Sequence, residues 1–195
     1  MPNSVTTVGD YSFWQCNNLQ HVTFSNSMTE VGYAVLGDMP ALTSVDFGTG
    51  IHTLVAYSLY VLPALQELDI PKNITTIEPC AISGMDGLTT ITVDPENTVY
   101  DSRENCNAIV HTANNIIITG CKTTVIPASV TGLGESAFDT CTTLETVTIP
   151  THITEIGPYC FYGCTGIKTF NYAGTTEQWG AMVLGDGWNE DSTIT

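Results

Sequence analysis

The sequence predicts a β-rich solenoid, with short strands stacked at a fixed interval and short helical or 3₁₀ segments on the opposite side. Three observations carry this. One word recurs, as "MPNSVTTVGDYSFWQC" (Met1 to Cys16), "IPASVTGLGESAFDTC" (Ile126 to Cys141) and "IPTHITEIGPYCFYGC" (Ile149 to Cys164). Aligned on it, the chain falls into successive units of equal length, 1–23, 24–46, 47–69, 70–92, 126–148 and 149–171. Five positions of the unit are apolar in every copy.

Within a unit, the fifth position reads Val5, Met28, Ile51, Ile74, Val130 and Ile153, and the eighth, thirteenth, nineteenth and twenty-second are equally uniform. Such columns mean that each unit buries its apolar side chains against the same positions above and below. A glycine follows the eighth position in four units (Gly9, Gly32, Gly134, Gly157), which suits a turn at positive φ. The "ESAFDTC"-like stretch then reads as a short helix or 3₁₀ turn. Near the end, "LETVTI" (Leu144 to Ile149) alternates in and out and reads as a short strand. The sixteenth position carries Cys16, Met39, Leu62, Met85, Cys141 and Cys164. Cysteine there is one more apolar rung and not a redox or metal group.

Residues 93–125 break the period. "NAIVHT" and "NIIITG" flank Ala113–Asn114, which predicts a hairpin island. Cys106 would face Cys121 across it, either bonded or as two thiols. His111 reads as an ordinary surface residue. "DPEN" and "DSREN" have calcium-compatible ligands, but turns use such residues for their own backbone bonds. Residues 172–195 abandon the repeat and read as a cap, with Thr175 or Thr176 as a helix N-cap and Trp179, Met182, Leu184 and Trp188 over the core. The whole is expected to be a single solenoid domain, with repeats 1–92 and 126–171, the island 93–125 and the cap 172–195.

Composition narrows what the stack can do. The 195 residues include 20 Asp plus Glu and 4 Lys plus Arg, for a formal net charge of −16. That argues against direct binding of nucleic acid and of an anionic membrane, since both need cations to meet phosphate. It favours a basic protein partner or plain solubility. Only 12% of residues are charged, and a Thr/Ser/Asn/Gly surface is usual for exported proteins. No stretch approaches a membrane span, and the N-terminus has neither the basic start nor the apolar run of an export signal. Four histidines (His21, His52, His111, His152) occupy different repeat positions and do not converge. No carboxylate pair, Cys-x-x-Cys or phosphate loop recurs, so no enzyme, cofactor or metal site is expected.

The repeated words resemble those of the BspA-type leucine-rich repeat family. The resemblance covers 1–171 and is tightest in the first, fifth and sixth units. "FSNSMTEVGYAVLGDM" and "FGTGIHTLVAYSLYVL", in the second and third, lose the proline, the Ala-Phe pair and the cysteine. The island and the "YAGT" closing segment are also similar to family features. The resemblance implies a leucine-rich-repeat solenoid on a bacterial surface or secreted, engaged in adhesion or protein binding.

Candidate binding residues follow from the outward positions of the strands: Gln20 and His21, Ser44 and Asp46, Gln66, Glu67 and Asp69, and Thr90. Asp46, Glu67 and Asp69 form an acidic patch in the diverged units. Trp14 and Tyr60, in an aromatic stripe on the other side, are a second candidate contact cluster. Three readings remain open: a non-catalytic protein-binding module; a small acidic intracellular inhibitor, of the phage anti-defence type, that blocks a basic nucleic-acid-binding surface of another protein; and a passive spacer.

Overall fold

A computed structural model describes residues 1–194. The chain winds into a β-solenoid of about seven stacked turns. The first four turns supply β1 (His21–Thr23), β2 (Leu36–Gly37), β3 (Ser44–Asp46), β4 (Thr53–Leu54), β5 (Leu59–Tyr60), β6 (Glu67–Ile70), β7 (Thr76–Ile77), β8 (Ile82–Ser83) and β9 (Thr90–Val93). Next come β10 (Tyr100–Asp101), β11 (Ala108–His111) and β12 (Ile116–Gly120). The last turns and cap give β13 (Gly132–Leu133), β14 (Thr146–Ile149), β15 (Glu155–Ile156), β16 (Thr169–Tyr172), α1 (Thr176–Gly180) and β17 (Val183–Leu184).

Three parallel ladders run along the stack. The outward strands pair as β1–β3, β6–β9 and β14–β16, each residue opposite its equivalent in the next turn. A second ladder joins β4 to β7, and β12 to β13, β15 and β17. The third is β2–β5–β8. The apolar columns fill the space between them, with Met28, Leu42, Ile51, Leu54, Leu65 and Ile74 sealed from solvent. Val5, Val8, Phe13 and Leu19 of the first turn are half-buried and pack against the core from one side. The cysteine column is interior as expected. Burial pushes the Cys141 and Cys164 thiols up to about 12, which removes their thiolate chemistry at neutral pH.

Two local expectations are corrected. The segment expected to be helical is a third β-ladder, because each turn holds two left-handed residues four apart. At the eleventh position these are Tyr11, Ala34, Tyr57, Cys80, Ser136 and Tyr159, and at the fifteenth Gln15, Asp38, Val61, Gly84, Thr140 and Gly163, with φ between 49° and 69°. A helix cannot run through such residues. The glycines after the eighth position do not have positive φ. They allow close stacking instead: a Cβ on Gly32 would lie 2.4 Å from the Gly9 carbonyl carbon, and one on Gly157 2.6 Å from the Glu135 nitrogen.

The island also differs from a simple addition. Residues 93–101 keep the spacing of the repeat, with Asn97 and Tyr100 standing where Ile74 and Ile77 stand one turn earlier. The Asn97 amide donates to the Ile74 and Pro71 carbonyls (2.8 and 3.1 Å), and the Tyr100 hydroxyl accepts from the Ile77 amide (3.0 Å). The hairpin forms as predicted, with β11 antiparallel to β12, but it takes the place of the third-ladder segment. On that side the fourth turn therefore meets residues 136–143 directly. Ser83 Oγ donates to Asp139 (2.5 Å), Cys80 Sγ lies 3.1 Å from Ser136 Oγ, and Asp86 accepts from Thr142 Oγ1 and the Thr143 amide (2.6 and 3.1 Å). β11 is buried on both faces: Ile109 belongs to the core of the first four turns, Ala108 and Val110 to the core of the last.

Cys106 and Cys121 are both free thiols; Cys106 Sγ approaches the Ala108 carbonyl and Cys121 Sγ that of Asn107 (3.6 and 3.5 Å). His111 is not an open surface residue. It is half-buried against Tyr100 (centroids 5.6 Å apart), and its Nδ1 is enclosed with no hydrogen-bond partner among the described residues. In the tail, Thr175 is the N-cap, in a reciprocal capping box with Gln178. Met182 is buried and Trp179 and Trp188 pack on the core, whereas Leu184 lies exposed on the edge strand β17.

Candidate binding faces

The strand alternation fixes which side chains face out. In β1 and β3 the inward residue is Val22 or Val45, so His21, Thr23, Ser44 and Asp46 project into solvent. His21 Nδ1 meets Ser44 Oγ across the ladder at 2.7 Å, and the Gln20 carbonyl accepts from the amides of Thr43 (2.8 Å) and Ser44 (3.3 Å). In β6 and β9, Glu67 lies beside Thr90 and Asp69 beside Thr92, whose hydroxyl donates to the Asp69 carboxylate. Gln66 repeats the role of Gln20, its carbonyl accepting from the Thr89 and Thr90 amides (2.9 and 3.1 Å). His21, Ser44, Asp46, Glu67, Asp69 and Thr90 thus face outward from their strands, and Gln20 and Gln66 stand exposed just before β1 and β6.

The outward strand face is split between β3 and β6, which are neighbours but not hydrogen-bonded. The register of the repeat would set Asp46 against Asp69, and like charges directly opposite one another oppose pairing. Below the seam lies an open cavity of about 550 Å³, with Val45, Phe47 and Ile70 in its wall and Asp46, Asp69 and Asp94 at its rim. Among the described residues no lysine or arginine forms an ion pair with these three acids, although Lys72 lies near enough to Asp94 to feel its charge. Lys72 pairs with Glu96, Arg103 with Asp101 (2.7 Å), Lys168 with Glu145 (2.6 Å), and Lys122 donates to the Asp86 carbonyl (2.7 Å). The calcium-compatible turns serve themselves: Asp94 accepts from the Glu96 amide (2.8 Å), and Asp101 is taken by Arg103. No cluster of three metal-ligating side chains occurs among the described residues, and no helix there is long and apolar enough to cross a membrane.

Trp14 and Tyr60 lie on the third-ladder side, away from the strand face. Their rings stack, 16° from parallel and 5.7 Å apart. Around them stand Tyr11, Tyr57 and Tyr33. Sequence reasoning misses Tyr33 because it sits one position before the aromatic column. The signal available was its place between Tyr11 and Tyr57 in consecutive turns. Burial, with Cys80 beside it, holds the Tyr57 phenol well above the ordinary tyrosine range, so it stays neutral.

The comparisons with known proteins agree with this architecture. The model for the BspA type leucine rich repeat region matches six copies, over residues 1–109 and 115–185. Among solved structures, a leucine-rich repeat protein from Eubacterium ventriosum is 21% identical with a TM-score of 0.55, over 86% of this chain and 57% of that one. A leucine rich cell surface protein from Faecalibacterium prausnitzii is 19% identical with a TM-score of 0.55, over 90% and 65%. The pneumococcal vaccine antigen PcpA is 15% identical with a TM-score of 0.67, over 86% and 42%. The chain therefore spans less than two thirds of the length of each, and these likenesses show the fold. No curated protein matches its sequence. With the family model matched along most of the stack, the chain belongs to the BspA-type leucine-rich repeat family.

Proposed function

We propose that the chain is a non-catalytic protein-binding module that engages a basic partner through its stacked-strand face, centred on the seam between β3 and β6. The observation that carries this reading is the set of outward carboxylates Asp46, Glu67 and Asp69, of which Asp46 and Asp69 line a partly apolar cavity, with none of the three in an ion pair among the described residues. Charge of one sign steers an oppositely charged partner, and the apolar wall supplies area to bury. Gln20, His21, Ser44, Gln66 and Thr90 add neutral donors and acceptors along the same face. A setting on a bacterial surface, with adhesion as the task, is supported by the family and by its F. prausnitzii relative, a cell surface protein.

The test is charge reversal. Asp46→Lys, Glu67→Lys and Asp69→Lys together should abolish capture of surface proteins from host or neighbouring cells. Reversal of exposed Glu104, Glu177 and Asp186, which alters net charge equally, should leave it intact. Equal capture by both variants would place the site elsewhere. The net charge of −16 also supports the inhibitor reading. Capture of a nucleic-acid enzyme, with binding that falls steeply with salt, would favour it over adhesion.

A further inference from the structure

We infer that Tyr11, Trp14, Tyr33, Tyr57 and Tyr60 form an aromatic cage for an organic cation, the guanidinium or ammonium head of an arginine or lysine side chain on a basic protein partner. The inference rests on the protein-binding reading and adds a second contact to it.

The five rings close a cycle. Successive centroids lie 5.6 Å (Tyr11–Trp14), 5.7 Å (Trp14–Tyr60), 5.3 Å (Tyr60–Tyr57), 5.6 Å (Tyr57–Tyr33) and 5.4 Å (Tyr33–Tyr11) apart. A ring attracts a cation seated over its face within ~6 Å of the centroid, and rings at this spacing leave room for one between them. The rings surround an open cavity of about 280 Å³.

The middle turn keeps that space open. The first and third turns place Tyr11 and Tyr57 at the eleventh position and Trp14 and Tyr60 at the fourteenth, where the second has only Ala34 and Gly37. Trp14 lies across Gly37 so closely that a Cβ there would be 2.1 Å from the indole Cε3. Tyr33 closes the cycle, its amide held by Asp10 Oδ1 at 2.8 Å. The second and third turns, which depart most from the repeated word, supply the floor and three of the five wall rings, Tyr33, Tyr57 and Tyr60.

Charge selects the occupant. Asp38 accepts from Gln15, next to Trp14 (2.9 Å), and Glu78 accepts from the Ala56 amide, next to Tyr57 (2.9 Å), so carboxylates flank the rings along with Asp10. An adjoining cavity of about 690 Å³ shares Tyr57 and Tyr60 and adds Glu135, Asp139 and Glu190. The other large aromatic cluster, around Phe161 and Trp188, packs into the core of the last turns. Tyr11 and Tyr33, by contrast, are 54% and 39% exposed.

The test follows the Trp14 indole N–H resonance by NMR during titration with an acetylated tri-arginine peptide, its tri-citrulline twin and cellobiose. The arginine peptide should shift the signal saturably, with the neutral twin about tenfold weaker or worse and the sugar without effect. Tyr11→Ala and Tyr33→Ala, both at exposed rings, should each weaken the arginine peptide by about threefold or more. The cage is overturned if the twin binds equally, if cellobiose shifts the resonance instead, or if both variants keep full affinity. The triple lysine variant of the strand face separates the two readings. It should retain the Trp14 response while losing capture, and an absent Trp14 response with capture intact would remove the cage alone.

Discussion

The two sides of the fifth turn are built differently. On the second-ladder side, β10, β11 and β12 stand between β7 and β13, and their middle strand is buried by a core on each face. On the third-ladder side no strand intervenes, and Ser83, Cys80 and Asp86 touch residues from 136 to 143. One side accommodates the inserted residues by extending a hydrogen-bonded sheet. The other absorbs the jump in sequence by replacing apolar stacking with polar contacts. The contrast teaches that a solenoid tolerates an insertion when the added strands satisfy their own backbone groups and leave the remaining faces of the stack in touch.

Breaking the partition strand should give the largest effect. Ile109→Ala should destabilise by about 2–5 kcal/mol, with hydrogen exchange rising first in residues 1–92. Val110→Ala should cost less and expose residues 126–194 first. Uniform loss of protection from either variant would mean that β11 does not separate two cores.

A smaller effect is expected on the polar side. Burial raises the pKa of Asp139, while the Ser83 hydrogen bond works the other way. The folded chain thus holds this proton more tightly than the unfolded chain, and the ionised group costs stability above its native pKa. That cost fades as pH falls through the native value toward the unfolded value near ~3.9. Asp139→Asn should therefore be the more stable protein at pH 7, with the gap closing as pH falls toward ~4. Thermal melts of both proteins across that range check the sign.

Effects of similar or smaller size concern the left-handed columns, which run through both blocks. Gly163 has a φ of 65°, and a Cβ there would sit 2.9 Å from Thr140 Cγ2. Gly163→Ala should therefore lose about 1–2 kcal/mol, the cost of a side chain in the left-handed region. Gln15 is exposed and also left-handed, with a φ of 58°. Gln15→Gly should gain at most about 0.5 kcal/mol, strain relief being partly offset by a freer unfolded chain. Chemical denaturation resolves the difference between them.

Much of this architecture was legible because the inward positions repeat without a polar intruder. Once Val22, Val45 and Leu68 are placed inside, alternation alone turns Asp46 and Asp69 outward. The left-handed residues were not legible, since Tyr, Ala, Cys and Ser occupy the eleventh position and no side chain there announces positive φ. The fifth turn was masked by Asn97 and Tyr100, polar groups in apolar columns whose fit depends on particular hydrogen bonds. The aromatic cycle was masked for a similar reason. Its floor is two small residues that read as drift, and Tyr33 stands one place out of line.

Length added to one edge of a ribbon becomes angle. Three strands at about 4.8 Å spacing widen one side of the fifth turn, while Ser83 and Asp139 stay in contact on the other. The fifth turn is thus a wedge in the stack, thick along the edge where the strands are added and thin where Ser83 meets Asp139.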